Sequence, residues 1–113
     1  MIVIIDYGMG NLGSILNMCR YLDIEAKISR DLNEISEASR IILPGVGSFD
    51  AAMQRIKNDG IDEILNKSVL ELGTPLMGIC LGMQLLTKKS EEGNLEGLGW
   101  IDGTIEKLPA ENL

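Results

Sequence analysis

Histidine is missing from this chain of 113 residues altogether. That removes the side chain most often used as a general base near neutral pH, so a nucleophile in this sequence has no imidazole of its own to activate it. Cysteine is nearly as scarce: Cys19 and Cys80 lie far apart with no CxxC, which fits a reduced, cytoplasmic setting better than a disulfide framework. No stretch approaches the ~20 apolar residues of a membrane span. The opening Met1-Ile2-Val3-Ile4-Ile5 lacks the basic flank of a signal peptide. Basic runs are absent and the net charge is -7, which argues against nucleic acid or an anionic membrane as a partner. Internal repeats and low-complexity linkers are absent too, so one domain suffices. What is present is 45% apolar residues, enough for a single core at this length, although a truncated sheet would leave part of its surface uncovered.

Short apolar runs alternate with amphipathic stretches, and this alternation predicts an α/β fold with a largely parallel central sheet flanked by helices. Strands are expected over 2–5, 24–29, 41–43 and 76–79, the first buried on both faces by its unbroken apolar character. Leu12, Ile15, Leu16, Cys19 and Leu22 recur at helical spacing after an Asn11 cap, which places Cys19 in the core. Ser48 suits an N-cap, with Phe49, Ala52, Met53 and Ile56 as the apolar face of the helix that follows. Ile61, Ile64, Leu65, Val69 and Leu72 mark another helix, closed by Gly73 with Pro75 beyond. Residues 88–96 read as a polar surface loop, and 100–108 as a further strand at a sheet edge. The six methionines, Met53 and Met83 among them, read as core filling.

Three segments carry chemical signals. In Gly78-Ile79-Cys80-Leu81-Gly82 a strand breaks sharply into a helix, and glycines are needed on either side because larger residues would clash in so tight a bend. A thiol at a helix N-terminus feels the unpaired amides, which favours the thiolate, and the Leu81 amide is left to point at an oxyanion. The same pattern also suits an inert cysteine buried at a strand end. Pro44-Gly45-Val46-Gly47-Ser48-Phe49 follows the third strand, and its glycines allow backbone amides to be exposed. Such a loop supplies oxyanion donors, each worth on the order of 3 kcal/mol in a transition state, or is an ordinary strand-to-helix connector. Finally, Gly8-Met9-Gly10-Asn11-Leu12-Gly13 spells GxGxxG, a dinucleotide fingerprint when it opens a helix, with Glu25 or Asp31 downstream. Asp6 and Tyr7 stand between the strand and the first glycine, and an aspartate there would repel a pyrophosphate. A tight turn is the better reading, and neither a cofactor nor a metal is expected.

Together, 41–49 and 78–86 resemble the class I glutamine amidotransferases, and among them the glutaminase subunits of imidazole glycerol phosphate synthases. Ile4 to Leu12, Ser90-Glu91-Glu92-Gly93 and Gly97-Leu98-Gly99-Trp100-Ile101 fit the same subfamily in the same order. The resemblance covers nearly the whole chain. It implies that Cys80 is the nucleophile that attacks the glutamine side-chain amide, forming a glutamyl thioester and releasing ammonia. It implies that Val46 and Leu81 give oxyanion-hole amides, that Gly45 and Gly47 face the substrate, and that Gln84 and Glu92 hold the glutamine. Asn11 matches a polar position near the oxyanion loop. In the family the ammonia passes through a (β/α)8-barrel synthase partner to its acceptor, here in histidine biosynthesis.

One departure is large. The family completes its site with a His and a Glu near the C-terminus of a longer domain, and neither has a counterpart in this sequence. Residues 1–113 are therefore expected to be the N-terminal portion of a single amidotransferase domain. An unassisted thiol, with a pKa near about 8.5, is only about a few per cent thiolate at neutral pH, and nothing remains to protonate departing ammonia. By itself the chain is expected to be essentially inactive. Two other readings stay open: a non-catalytic module that binds glutamine or docks a synthase, and a related subunit supplying ammonia for amidation of a surface sugar.

Overall fold

A computed structural model describes residues 1–109. Four short strands, β1 (Ile2–Ile5), β2 (Ala26–Ser29), β3 (Arg40–Leu43) and β4 (Leu76–Gly78), form one parallel sheet in the order β2-β1-β3-β4. Helices occupy the connections, as parallel neighbours require: α1 (Leu12–Tyr21), α2 (Leu32–Glu37), α3 (Phe49–Asn58) and α4 (Ile61–Leu65). The expected α/β architecture and all four expected strands are there, two of them shortened by a residue or two at their ends.

Alternation along the strands separates two faces. Val3, Ile5, Ile41 and Leu43 point into the core with Ile35 of α2, Phe49, Ala52, Met53 and Ile56 of α3, and Ile61 and Leu65 of α4. All four residues expected to form the apolar face of α3 are buried. Each such side chain contributes about 1.5–3 kcal/mol when fully removed from water. The opposite face is covered unevenly. Ile28, Ile4, Ile42 and Met77 lie in register across β2, β1, β3 and β4. Ile4 is fully buried, Ile42 is half-buried and Met77 is 62% exposed. Helix α1, which packs on β1 and β2, buries Cys19 as expected.

Several expectations need correction. The helix expected over 61–72 is α4 followed by a π-helical turn, Asn66–Glu71, in which the Leu72 amide reaches back to Lys67 O at 3.1 Å. Widening the turn shifts the periodic face, and Leu72 ends 64% exposed. Leu22, the last residue of the α1 pattern, is exposed because the helix has already ended. Residues 88–96 are only partly loop, since Thr87–Ser90 is a strand, β5, paired in parallel with β6 (Ile101–Ile105). This pair is a separate two-stranded sheet and not an edge of the main one. Lys88 and Lys89 hide the strand from a periodicity reading, because backbone pairing and not an apolar face holds it.

Candidate active site

Cys80 sits two residues past the end of β4, at φ 55° and ψ -118°. A left-handed φ in a non-glycine residue costs on the order of 1–3 kcal/mol and persists only where its surroundings enforce it. Here they do. The Ile79 amide donates to Leu43 O at 3.0 Å, and beyond the bend the Gly82 amide returns to Ile79 O at 2.9 Å and the Met83 amide to Cys80 O at 3.0 Å. A β-carbon at Gly78 would come within 2.7 Å of Met83 Cα, and one at Gly82 would overlap the Leu43 carbonyl. The two glycines are thus required by close approach, as the sequence predicted, and Cys80 is left exposed at the tip. The helix that follows, α5 (Leu81–Gln84), is a single turn, so the dipole invoked for the thiol has only four residues behind it.

Beside this elbow runs the loop 44–48. The Tyr7 hydroxyl, buried under the loop, donates to Pro44 O. A β-carbon at Gly45 would fall 2.6 Å from that hydroxyl oxygen and 2.9 Å from Gly82 N, so only glycine lets the loop lie against the elbow. Gly47 adopts φ 96°, and Val46 is exposed at the crest. The Val46 amide has no hydrogen-bond partner among the described residues. The Leu81 amide differs from expectation: it is not free but donates to Gly45 O at 3.3 Å. The close packing that brings the loop to the elbow also hands it an acceptor.

Gly45, Val46, Gly47, Cys80, Leu81, Gln84 and Glu92 all line one open pocket. Met83 lines it too and is 54% exposed, which corrects the expectation that it fills the core; a single-turn helix has no far side to bury it. Asn11 caps α1 as expected, its side chain accepting the Ser14 amide at 3.3 Å. The GxGxxG segment is a tight turn, with Gly8 and Gly10 at positive φ. The Asp6 carboxylate takes the Gly8 amide at 3.1 Å, the donor a pyrophosphate would need. Gly10 packs beside the loop, where a β-carbon would lie 3.1 Å from Pro44 Cβ. Among the described residues no cluster of three or more Cys, Asp or Glu side chains forms a metal-donor set.

Two residues that support the site carry no sequence signal. Tyr7 has no assigned role in the motif of residues 4–12, yet it props the loop. Asp50, which no motif marks, accepts the amides of Asn94 and Leu95 and so touches the segment that bears Glu92.

A cysteine elbow at the end of a parallel strand, with a glycine loop beside it, sets this chain among α/β proteins that present an exposed thiol at a strand-to-helix turn. In agreement, the family model described as glutamine amidotransferase class-I matches residues 3–109, and the chain belongs to that family. The relatives are more particular. The chain is 54% identical over 112 residues to imidazole glycerol phosphate synthase subunit HisH 2 of Methanococcus maripaludis, covering 99% of this chain and 55% of that one. It is 49% identical over 102 residues to the subunit of the same name from Pseudomonas aeruginosa, covering 90% and 50%. A solved structure described as a glutamine amidotransferase superposes with a TM-score of 0.74 at 25% identity, covering 92% of this chain and 55% of that one. The chain spans about half the length of the curated relatives it matches.

Proposed function

We propose that this chain is the nucleophile-bearing part of a glutaminase that passes ammonia to a (β/α)8-barrel synthase partner making imidazole glycerol phosphate in histidine biosynthesis. One observation carries the reading: Cys80, held at positive φ, shares a pocket with the Val46 loop, Gln84 and Glu92.

In this reading the Glu92 carboxylate takes the ammonium end of glutamine and Gln84 hydrogen-bonds its polar atoms, which brings the side-chain amide over Cys80. The thiolate Sγ adds to the amide carbon, and the oxygen gains the negative charge. The Val46 amide is free to stabilise it, and the Leu81 amide joins once its bond to Gly45 O yields; each such donor is worth on the order of 3 kcal/mol. Collapse breaks the C–N bond and leaves a glutamyl thioester on Cys80, while the nitrogen takes a proton and leaves as ammonia. Water then cleaves the thioester to glutamate. The proton transfers call for an imidazole, and the 113 residues contain no histidine, so the chain by itself binds and is acylated slowly and does not turn over.

The test is covalent labelling of the chain with the chloroketone analogue of glutamine, followed by mass spectrometry. The expected product is one adduct on Cys80, none on buried Cys19, with labelling slowed by added glutamine. Labelling indifferent to glutamine, or shared with Cys19, would defeat the reading. Sustained glutamate release from the chain alone, lost in Cys80→Ala, would defeat the claim that it needs a base from outside this sequence.

A further inference from the structure

Glu92 is an exposed residue in the polar connection between β5 and β6. Its apolar anchors, Leu98 and Trp100, pack against the core only further along the connection, so the position of the polar stretch around Glu92 depends on hydrogen bonds to its backbone. Three of these are local: the Glu92 amide donates to Ser90 Oγ at 3.1 Å, the Gly93 amide to Ser90 O at 3.2 Å and the Glu91 amide to Ile105 O at 2.8 Å. All three tie the stretch to its own flanking strands and would let it swing with them. A further tie comes from another element. Asp50, the second residue of α3, accepts the Asn94 amide at 2.9 Å on Oδ1 and 2.7 Å on Oδ2, and the Leu95 amide at 2.8 Å on Oδ1. Bonds to an ionised acceptor are about twice as strong as neutral ones. Gly93 allows the approach, since a β-carbon there would run into the Asp50 carboxylate.

The placement of Asp50 gives the tie its meaning. Two residues earlier Ser48 caps α3, and the Val46 loop leads directly into it. Through Asp50, one helix end carries both the loop beside Cys80 and the segment bearing Glu92. We propose that Asp50 is a positioning residue for substrate recognition: its carboxylate holds the 92–95 segment so that Glu92 faces Cys80, and it thereby sets the preference of the pocket for an amino-acid-shaped ligand. This rests on the glutaminase reading above. Asp50 itself touches no substrate.

A plainer role is available, because an acidic residue in a first turn also favours the helix dipole. The two roles separate experimentally. In the 113-residue chain, Cys80 alkylation is timed with the glutamine chloroketone, where Sγ bonds to the chloromethyl carbon and chloride leaves, and with iodoacetamide, which has no amino-acid end. The readout is the ratio of the two rates. For Asp50→Ala and Asp50→Glu this ratio should fall about tenfold, while the iodoacetamide rate stays within about twofold of the parent. Asp50→Glu keeps the charge at the helix end but, one methylene longer, carries the carboxylate past its present fit against the Asn94 and Leu95 amides, so it separates positioning from the dipole. It also stands in should Asp50→Ala fail to fold. In a Glu92→Ala background, Asp50→Glu should lower the ratio no further, because there is no carboxylate left to position. A parental ratio in Asp50→Glu, an equal loss with both reagents, or an additive loss in the Glu92→Ala background would each overturn the proposal. Absence of any preference for the chloroketone in the parent chain would instead overturn the glutaminase reading on which it rests.

Discussion

Tyr7 shows how much a single buried polar atom decides near this site. Its hydroxyl is out of water and donates to Pro44 O, and burial pushes its pKa from 10.0 up to about 12. The neutral form is therefore favoured in the folded chain. An unfolded tyrosine ionises first, near about pH 10, so the unfolded state binds fewer protons between about pH 10 and about pH 12. Stability from Tyr7 should be complete below that window and decline through it, with a slope of at most about 1.4 kcal/mol per pH unit. Urea unfolding of the chain against Tyr7→Phe measures this. The variant should lose about 1 kcal/mol near neutral pH through the orphaned carbonyl and show a shallower decline in alkali; parallel curves would rule the coupling out. The glycines around Cys80 belong to the same scale, since Gly82 is excluded from substitution by the Leu43 carbonyl and not by its own φ.

Among the elements, α3 is the most legible and the most consequential. Its cap, apolar face and length follow from Ser48, Phe49, Ala52, Met53 and Ile56, and the Ser48 side chain does accept the Ala51 amide at 3.3 Å. Ser48→Ala should cost about 1 kcal/mol, within about 0.5–2. Because α3 starts where the Val46 loop ends, the same variant should also slow chloroketone labelling of Cys80. A stability loss without any change in labelling would show that the loop does not depend on the cap. What escaped the sequence reading has a common cause. β5, and its pairing with the expected strand β6, rest on backbone bonds between polar segments, and the Trp100 indole donates to Asn66 Oδ1 at 2.6 Å, tying this small sheet to the π-helical turn. Neither the pairing nor the widened turn leaves a periodic trace in side-chain polarity.

At the scale of the molecule, burial runs out across one face of the main sheet. Ile4 and Met77 belong to the same row, yet one is fully buried and the other largely exposed. Ile4→Ala should therefore cost about 2–5 kcal/mol in denaturant unfolding, while Met77→Ala should stay below about 1 kcal/mol. Similar costs at both positions would mean that the face is covered more evenly than the structure shows.

Fold class, strand positions, the core face of α3 and the two glycine-rich bends were all legible in the sequence, because each is a local pattern of size, polarity or backbone permissiveness. The family was legible as a resemblance carried by the two bends together with 4–12, 90–93 and 97–101, and the family model over residues 3–109 bears it out. Their meeting was not legible. Only the tertiary structure lays Gly45 against Gly82, spends the Leu81 amide on the Gly45 carbonyl, turns Met83 outward into the pocket and reaches from Asp50 to the segment of Glu92. These are contacts between residues tens of positions apart, and a one-dimensional pattern holds no information on which amide a carboxylate will find.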